Sequence, residues 1–200
     1  MDVNNSNAIR SLIALSTILL GGLIWFGIVA FLRVKQKKST VYLLFFTVFY
    51  VYLYKVLDYT LFQFQSLILL RHFIPDLILN GVATGKSFNL IPLITLTGED
   101  LKTSLLNVLL MMPFGFGLPF ITNVSVKGIV ISGALLSIAL ELLQLLTGLM
   151  GGVTFRIADI NDVIFNTVGV AIGYVLFIAF RAHVWPHIPQ MDDMSLPINR

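Results

Sequence analysis

Five runs of roughly twenty apolar residues divide this chain, and each is long enough to cross a hydrocarbon core about 30 Å thick as a helix rising about 1.5 Å per residue. They cover Ser11 to Leu32, about Thr40 to Leu61, about Ser104 to Ile121, Gly128 to Leu149 and Ile160 to Phe180. Lipid offers a backbone no hydrogen-bond partners, so such runs must satisfy themselves as helices. The pattern predicts an all-α fold, an integral membrane bundle of about five transmembrane helices. A further apolar piece over residues 62–80 is interrupted by Arg71, His72, Pro75 and Asp76 and reads as an interfacial or re-entrant segment. Composition agrees, with 57% hydrophobic and 12% charged residues where soluble domains carry roughly a quarter charged.

The 200 residues form a single membrane domain. The first run follows Arg10 as a secretory leader does, but it extends 22 residues without a charge and ends in Arg33, Lys35, Lys37 and Lys38 with no small-residue cleavage site, so it is expected to stay. The net charge of +3 does not point to nucleic acid, because the basic residues flank apolar runs rather than forming a basic face. No cysteine is present, which rules out disulfides and thiolate metal sites. Residues 182–200, with Trp185 and three prolines, read as an interfacial anchor followed by a flexible tail.

The four basic residues after the first span are the densest cluster in the chain and place that loop in the cytoplasm, the N-terminus outside and the C-terminus inside. Inward segments then carry seven basic residues against five outward, the latter including Arg71, Lys86 and Arg156.

Ionisable groups within a bilayer are costly and mark candidate sites. Their depths converge. With alternating helix directions, Glu141 lies about 20 Å along the fourth span and Asn166 about 9 Å into the fifth from the opposite side, so both reach one level. Gln144 and Asp162 lie nearer the surface, Asn107 is one turn into the third span, and Lys55 and Asp58 fall in the same outer third. The convergence holds for either orientation. At about 100° per residue, Gly133, Ser137, Glu141, Gln144 and Gly148 form one stripe on the fourth helix, and Asp159, Asp162, Asn166, Gly169 and Gly173 form another on the fifth. The two stripes are expected to face each other, polar groups above and small residues packing below. Lys55 and Asp58, three apart, are expected to pair along one helix face. With only Arg156 in the fourth-to-fifth connection, the carboxylates Glu141, Asp159 and Asp162 leave excess negative charge unless Arg71, Lys55, a proton or a cation compensates.

Four motifs appear in order: Phe88-Asn89-Leu90-Ile91-Pro92; Asn107 with Met112-Pro113-Phe114-Gly115-Phe116; Glu141-x-x-Gln144; and Arg156-Ile157-Ala158-Asp159-Ile160-Asn161-Asp162 followed by Asn166-Thr167-x-Gly169. Together they resemble the VanZ-like membrane proteins over a core of residues 88–176. The resemblance implies a bacterial envelope protein associated with reduced susceptibility to teicoplanin, a lipid-tailed glycopeptide antibiotic, by a route independent of the peptidoglycan stem terminus.

Three functional classes follow. In a binding protein, Asn89, Asn107, Glu141, Gln144, Arg156, Asp159, Asp162 and Asn166 form a ligand pocket. It takes the polar head of a lipoglycopeptide or cell-wall lipid, with the acyl chain along Phe114 and Phe116. In a membrane enzyme, Glu141 and Asp162 serve as acid and base, or hold a divalent metal, on a lipid headgroup. No Asp-rich motif or paired histidines assign a metal ligand set, and nothing calls for a cofactor. In a transporter, Glu141 and Asn166 line a path, but no internal repeat supports it. Membrane lipids are the expected neighbours, and a GxxxG-like face leaves room for a homodimer. The Asn89–Pro92 segment, too apolar for water, is expected to fold back over the polar ends of the third to fifth helices.

Overall fold

A computed structural model describes residues 3–62, 88–89, 91–93, 98–151 and 158–188. Five α-helices carry the chain: α1 (Val3–Val34), α2 (Thr40–Leu57), α3 (Gly98–Gly117), α4 (Val126–Gly151) and α5 (Ile160–His183). A π-helical turn, Asp58–Phe62, extends α2. Among the described residues, these five helices are long and apolar enough to cross a membrane, over Ser11–Val34, Thr40–Thr60, Leu101–Phe120, Val126–Leu146 and Ile160–His183. The hydropathy pattern thus located every span to within a few residues. The segment 62–80, apart from Phe62, lies outside the described residues, as do Arg71, Lys86, Arg156 and the tail beyond residue 188.

Local chemistry fixes the helix starts. Ser39 caps α2, its hydroxyl accepting from the Tyr42 amide at 3.2 Å. Ser125 accepts from the Gly128 amide at 3.1 Å ahead of α4. Asp159 caps α5 from an extended backbone, its carboxylate accepting from the Asn161 amide at 2.8 Å. Arg181 and His183 in the last turn of α5 complement the helix dipole.

Helices α3 and α5 pack backbone to backbone. A methyl on Gly169 would fall on the Val108 carbonyl, one on Gly173 on the Met112 carbonyl, and one on Gly115 on the Val170 carbonyl. This corrects one sequence expectation. The small residues of α5 seat α3 rather than α4, because glycine spacing selects a face and not the neighbour that occupies it. Helix α4 meets α5 through Gly133 against the Val170 side chain and Ser137 against Asn166. The core here comprises Phe49, Met111, Phe114, Ile129 and Val170.

At the end nearest the basic loop, Phe120 stacks on Phe45 at 4.5 Å and on Trp185 at 5.9 Å, with Phe177 edge-on at 5.0 Å. Helix α1 leans on α2 through specific polar contacts: Trp25 donates its indole N–H to Thr47 at 3.1 Å and Tyr50 its hydroxyl to the Gly21 carbonyl at 2.7 Å. Its outer face, including Leu19, Leu20, Leu23 and Phe26, is exposed as a lipid-facing surface requires.

Pro113 sits inside α3. A proline lacks the N–H that closes the ladder and pushes away the carbonyl four residues back, which opens the helix locally. The carbonyl that loses its donor is that of Leu109, and Tyr52 of α2 binds the one beside it: its hydroxyl donates to the Leu110 carbonyl at 2.8 Å and is approached by the Phe114 amide. Phe114 then packs on Phe49 at 5.8 Å and Gly117 lies against the Phe49 ring. The Met112-Pro113-Phe114-Gly115-Phe116 motif is therefore packing machinery. Phe114 is 6% exposed and Phe116 lies against Phe120, Phe177 and Phe180, so neither offers a wall to an acyl chain as the sequence had suggested.

Candidate functional site

The polar residues gather at the other end of the bundle, where α2 and α4 finish and α3 and α5 begin. The returning chain joins them: Phe88–Asn89 forms a two-residue parallel pair with Ala158–Asp159, Phe88 opposite Ala158 and Asn89 opposite Asp159. The amide of Leu93 donates to the Asn161 side chain at 2.8 Å. Phe88, Asn89 and Leu93 therefore lie at the start of α5, one of the three helix ends over which this apolar segment was expected to fold.

Asp159 is the hub. Its Oδ1 accepts from the Asn89 Nδ2 at 3.1 Å and from the Asn161 amide, while its own amide donates to Glu141 Oε2 on α4 at 3.3 Å. One helical turn into α5, Asp162 Oδ1 accepts from Asn107 Nδ2 on α3 at 2.6 Å. A turn deeper, Asn166 donates to Ser137 Oγ at 2.8 Å. On the far side of α4, Gln144 Nε2 donates to the Thr60 carbonyl at 3.3 Å, tying the π-turn after α2 to the same level.

These contacts order the residues by depth. Asp162 and Asn166 are four apart on α5, and Glu141 and Ser137 are four apart on α4, so two parallel ladders face each other with carboxylates above and neutral groups below. Glu141, Asp159, Asp162, Asn107 and Asn89 are half-buried, whereas Asn166 is 6% exposed and Ser137 fully enclosed. The deepest acceptor, Asn166 Oδ1, is buried without a hydrogen-bond donor among the described residues. Lys55 pairs with Asp58 at 3.0 Å on the exposed face of α2, as its spacing predicted, and stands apart from this network.

Seven of the eight candidate residues are placed, and all seven lie at this end. Asn89, Glu141 and Asp159 touch one another through the hub; Asn107 with Asp162, and Asn166 with Ser137, follow down the α5 face; Gln144 turns to α2. Arg156 lies outside the described residues. Sequence reasoning missed Asn161, which is 4% exposed and anchors Leu93. Its position between two aspartates at a helix start was the available signal, but a first-turn asparagine ordinarily faces water. Among the described residues, no three His, Asp or Glu side chains converge as a metal site. Chemically, the arrangement is a cluster of carboxylate and side-chain oxygens held by amide donors.

The fold and these contacts define an integral membrane protein whose polar side chains close one end of a helical bundle. The sequence profile of the VanZ/LLP1 family matches residues 13–181, and the chain belongs to that family. The match takes in α2 and most of α1 as well as the 88–176 region that carries the motifs. No curated protein and no solved structure matched the chain.

Proposed function

We propose that this protein recognises an amphiphile, either a lipid-tailed glycopeptide antibiotic such as teicoplanin or a cell-wall lipid, at the polar end of its bundle, and that this recognition lowers susceptibility to the antibiotic. The supporting observation is the amide and carboxylate network that joins α3, α4, α5 and the 88–93 segment within an otherwise apolar bundle. Such groups are expensive at membrane depth unless they serve a site. Their acceptor-rich character suits a ligand head bearing hydroxyl, amide or ammonium donors, and apolar helix surfaces beside them suit a lipid tail. With the Lys35–Lys38 loop in the cytoplasm, this end opens outward, where both ligands reside.

Binding is favoured over catalysis because amide donors fix each carboxylate as a hydrogen-bond acceptor, the role that a ligand head bearing donors requires. Asp159 caps a helix and holds Asn89, Asp162 accepts from Asn107, and Glu141 accepts from a backbone amide. The test measures susceptibility to teicoplanin and to a glycopeptide without a lipid tail in cells producing the wild type or Asp162→Asn at equal membrane abundance. Protection against the lipid-tailed drug alone, reduced at least fourfold by the variant, is expected. Equal protection against both drugs, or full protection by Asp162→Asn, sinks the reading.

A further inference from the structure

A second feature lies midway along the α1–α2 hairpin. Helices α1 and α2 diverge around an apolar groove of about 330 Å³, bordered by Gly21, Gly22, Trp25, Thr47, Tyr50 and Tyr54 among others. Its polar atoms are already engaged: the Trp25 indole binds Thr47, the Tyr50 hydroxyl binds the Gly21 carbonyl, and the Tyr54 hydroxyl reaches Thr17 at 3.5 Å. The groove surface therefore offers hydrocarbon contacts and no free donor, which suits an alkyl chain and not a headgroup.

The α1–α2 loop lies at one end of this groove and carries Arg33, Lys35, Lys37 and Lys38. Arg33 is tied to the Lys38 carbonyl at 3.0 Å and the Lys38 ammonium sits over the Tyr42 ring at 4.6 Å. That folding keeps the loop tight, with Arg33, Lys35 and Lys37 exposed. From the helix rise, the groove begins about 10 Å from the loop at Thr47 and reaches about 21 Å at Tyr54. The headgroup layer is roughly 5–7 Å thick and half the hydrocarbon core about 15 Å, so a lipid with its phosphate at the loop has its acyl chain at the level of the groove.

We propose that the α1–α2 hairpin holds one anionic phospholipid of the leaflet that contains the basic loop. Its phosphate lies against Arg33, Lys35 and Lys37, and one acyl chain occupies the groove. The polybasic loop selects the anionic head and the groove retains the tail. The site is independent of the polar network at the other end and of the ligand proposed there.

Gly22 gives the means to test it. A Cβ built there meets nothing, so Gly22→Leu fills the groove without disturbing the hairpin, whereas a Cβ on Gly21 would strike the Tyr54 ring at 2.9 Å. The full chain is reconstituted in nanodiscs of equal phosphatidylglycerol and phosphatidylcholine, released in mild detergent, and its retained lipid counted by native mass spectrometry. The wild type and Gly22→Ala should keep one phosphatidylglycerol. Gly22→Leu, and Val51→Trp on the other wall, should each lose retained lipid about tenfold, at unchanged helix content. Replacing Arg33, Lys35 and Lys37 with Gln should leave lipid bound while the preference for phosphatidylglycerol falls about fivefold per residue. Retention unchanged in both filled variants, no headgroup preference in the wild type, or efficient disulfide cross-linking of Gly22→Cys between two copies overturns the proposal.

Discussion

The Tyr52 hydroxyl bridges the break that Pro113 makes in α3, so removing it should cost stability only while the proline is present. Tyr52→Phe keeps the ring against Phe49, at 5.8 Å, and deletes only the oxygen that donates to Leu110. The Leu110 carbonyl then loses this donor and the Phe114 amide the oxygen beside it, at a level where no water replaces them. An unpaired buried polar group costs about 1–3 kcal/mol, although double-mutant cycles within membranes average nearer 0.6 kcal/mol for a hydrogen bond. A loss of about 1–3 kcal/mol is expected for the two groups together. Pro113→Ala restores the N–H that pairs with the Leu109 carbonyl and straightens the ladder, so that the Phe114 amide and the Leu110 carbonyl can satisfy each other without the tyrosine. In that background Tyr52→Phe should cost no more than about 0.5 kcal/mol, which gives a coupling of about 1–2 kcal/mol. Reversible unfolding in mixed micelles by dodecyl sulfate titration measures all four proteins. Additive losses in the two backgrounds would refute the bridge and leave Tyr52 as ordinary packing.

Three further outcomes follow from single contacts. Gly173→Ala drives a methyl onto the Met112 carbonyl and should destabilise the bundle by about 1–3 kcal/mol or block its folding, read by the same titration; wild-type stability would show that α3 can move aside. Asp159→Ala removes both the α5 cap and the anchor of Asn89 and should cost about 1–2 kcal/mol, with Asp159→Asn retaining most of it; indistinguishable losses for the two would show that the side-chain oxygen is not the cap. For orientation, Gln36→Cys in this cysteine-free chain should resist an impermeant maleimide applied to intact cells, and Ile91→Cys should react; the reverse pattern inverts the topology.

The parts of this fold that depend on local sequence were legible, and those that depend on the choice of neighbour were not. Hydropathy over twenty residues located the spans because the length of a helix and the thickness of lipid are fixed. Helix rise alone brought Glu141 and Asn166 to the same end of the bundle, since alternating spans must share their ends, but it set them at one level, whereas Asn166 meets Ser137, a turn below Glu141. Periodicity could say that Gly169 and Gly173 lie on one face of α5. It could not say that Val108 and Met112 of α3, rather than α4, would close on them. The same limit misassigned Phe114 and Phe116, whose apolar character fits a ligand wall as well as a core. Asn161 stayed hidden because its partner, Leu93, is 68 residues away and arrives only when the chain folds back.

The carboxylates at the polar end pose an electrostatic problem that hydrogen bonds alone do not solve. Glu141, Asp159 and Asp162 each accept from an amide, and amides stabilise a negative charge without cancelling it. In a low-dielectric setting like charges on two adjoining helices repel, and removing the cation that offsets them leaves uncompensated charge at a cost of about 3–5 kcal/mol. The sequence supplies Arg156 three residues before the Asp159 hub. Arg156→Ala should therefore damage stability far more than Glu141→Gln, because the glutamine oxygen can still accept from the Asp159 amide while it lowers the charge that needs offsetting. The double variant should recover part of the loss caused by Arg156→Ala. Unfolding in micelles and protection against teicoplanin are measured together for the three proteins. If Glu141→Gln keeps full stability yet loses protection as completely as Arg156→Ala, the charge on Glu141 is used on the ligand and the purely structural account of the network fails.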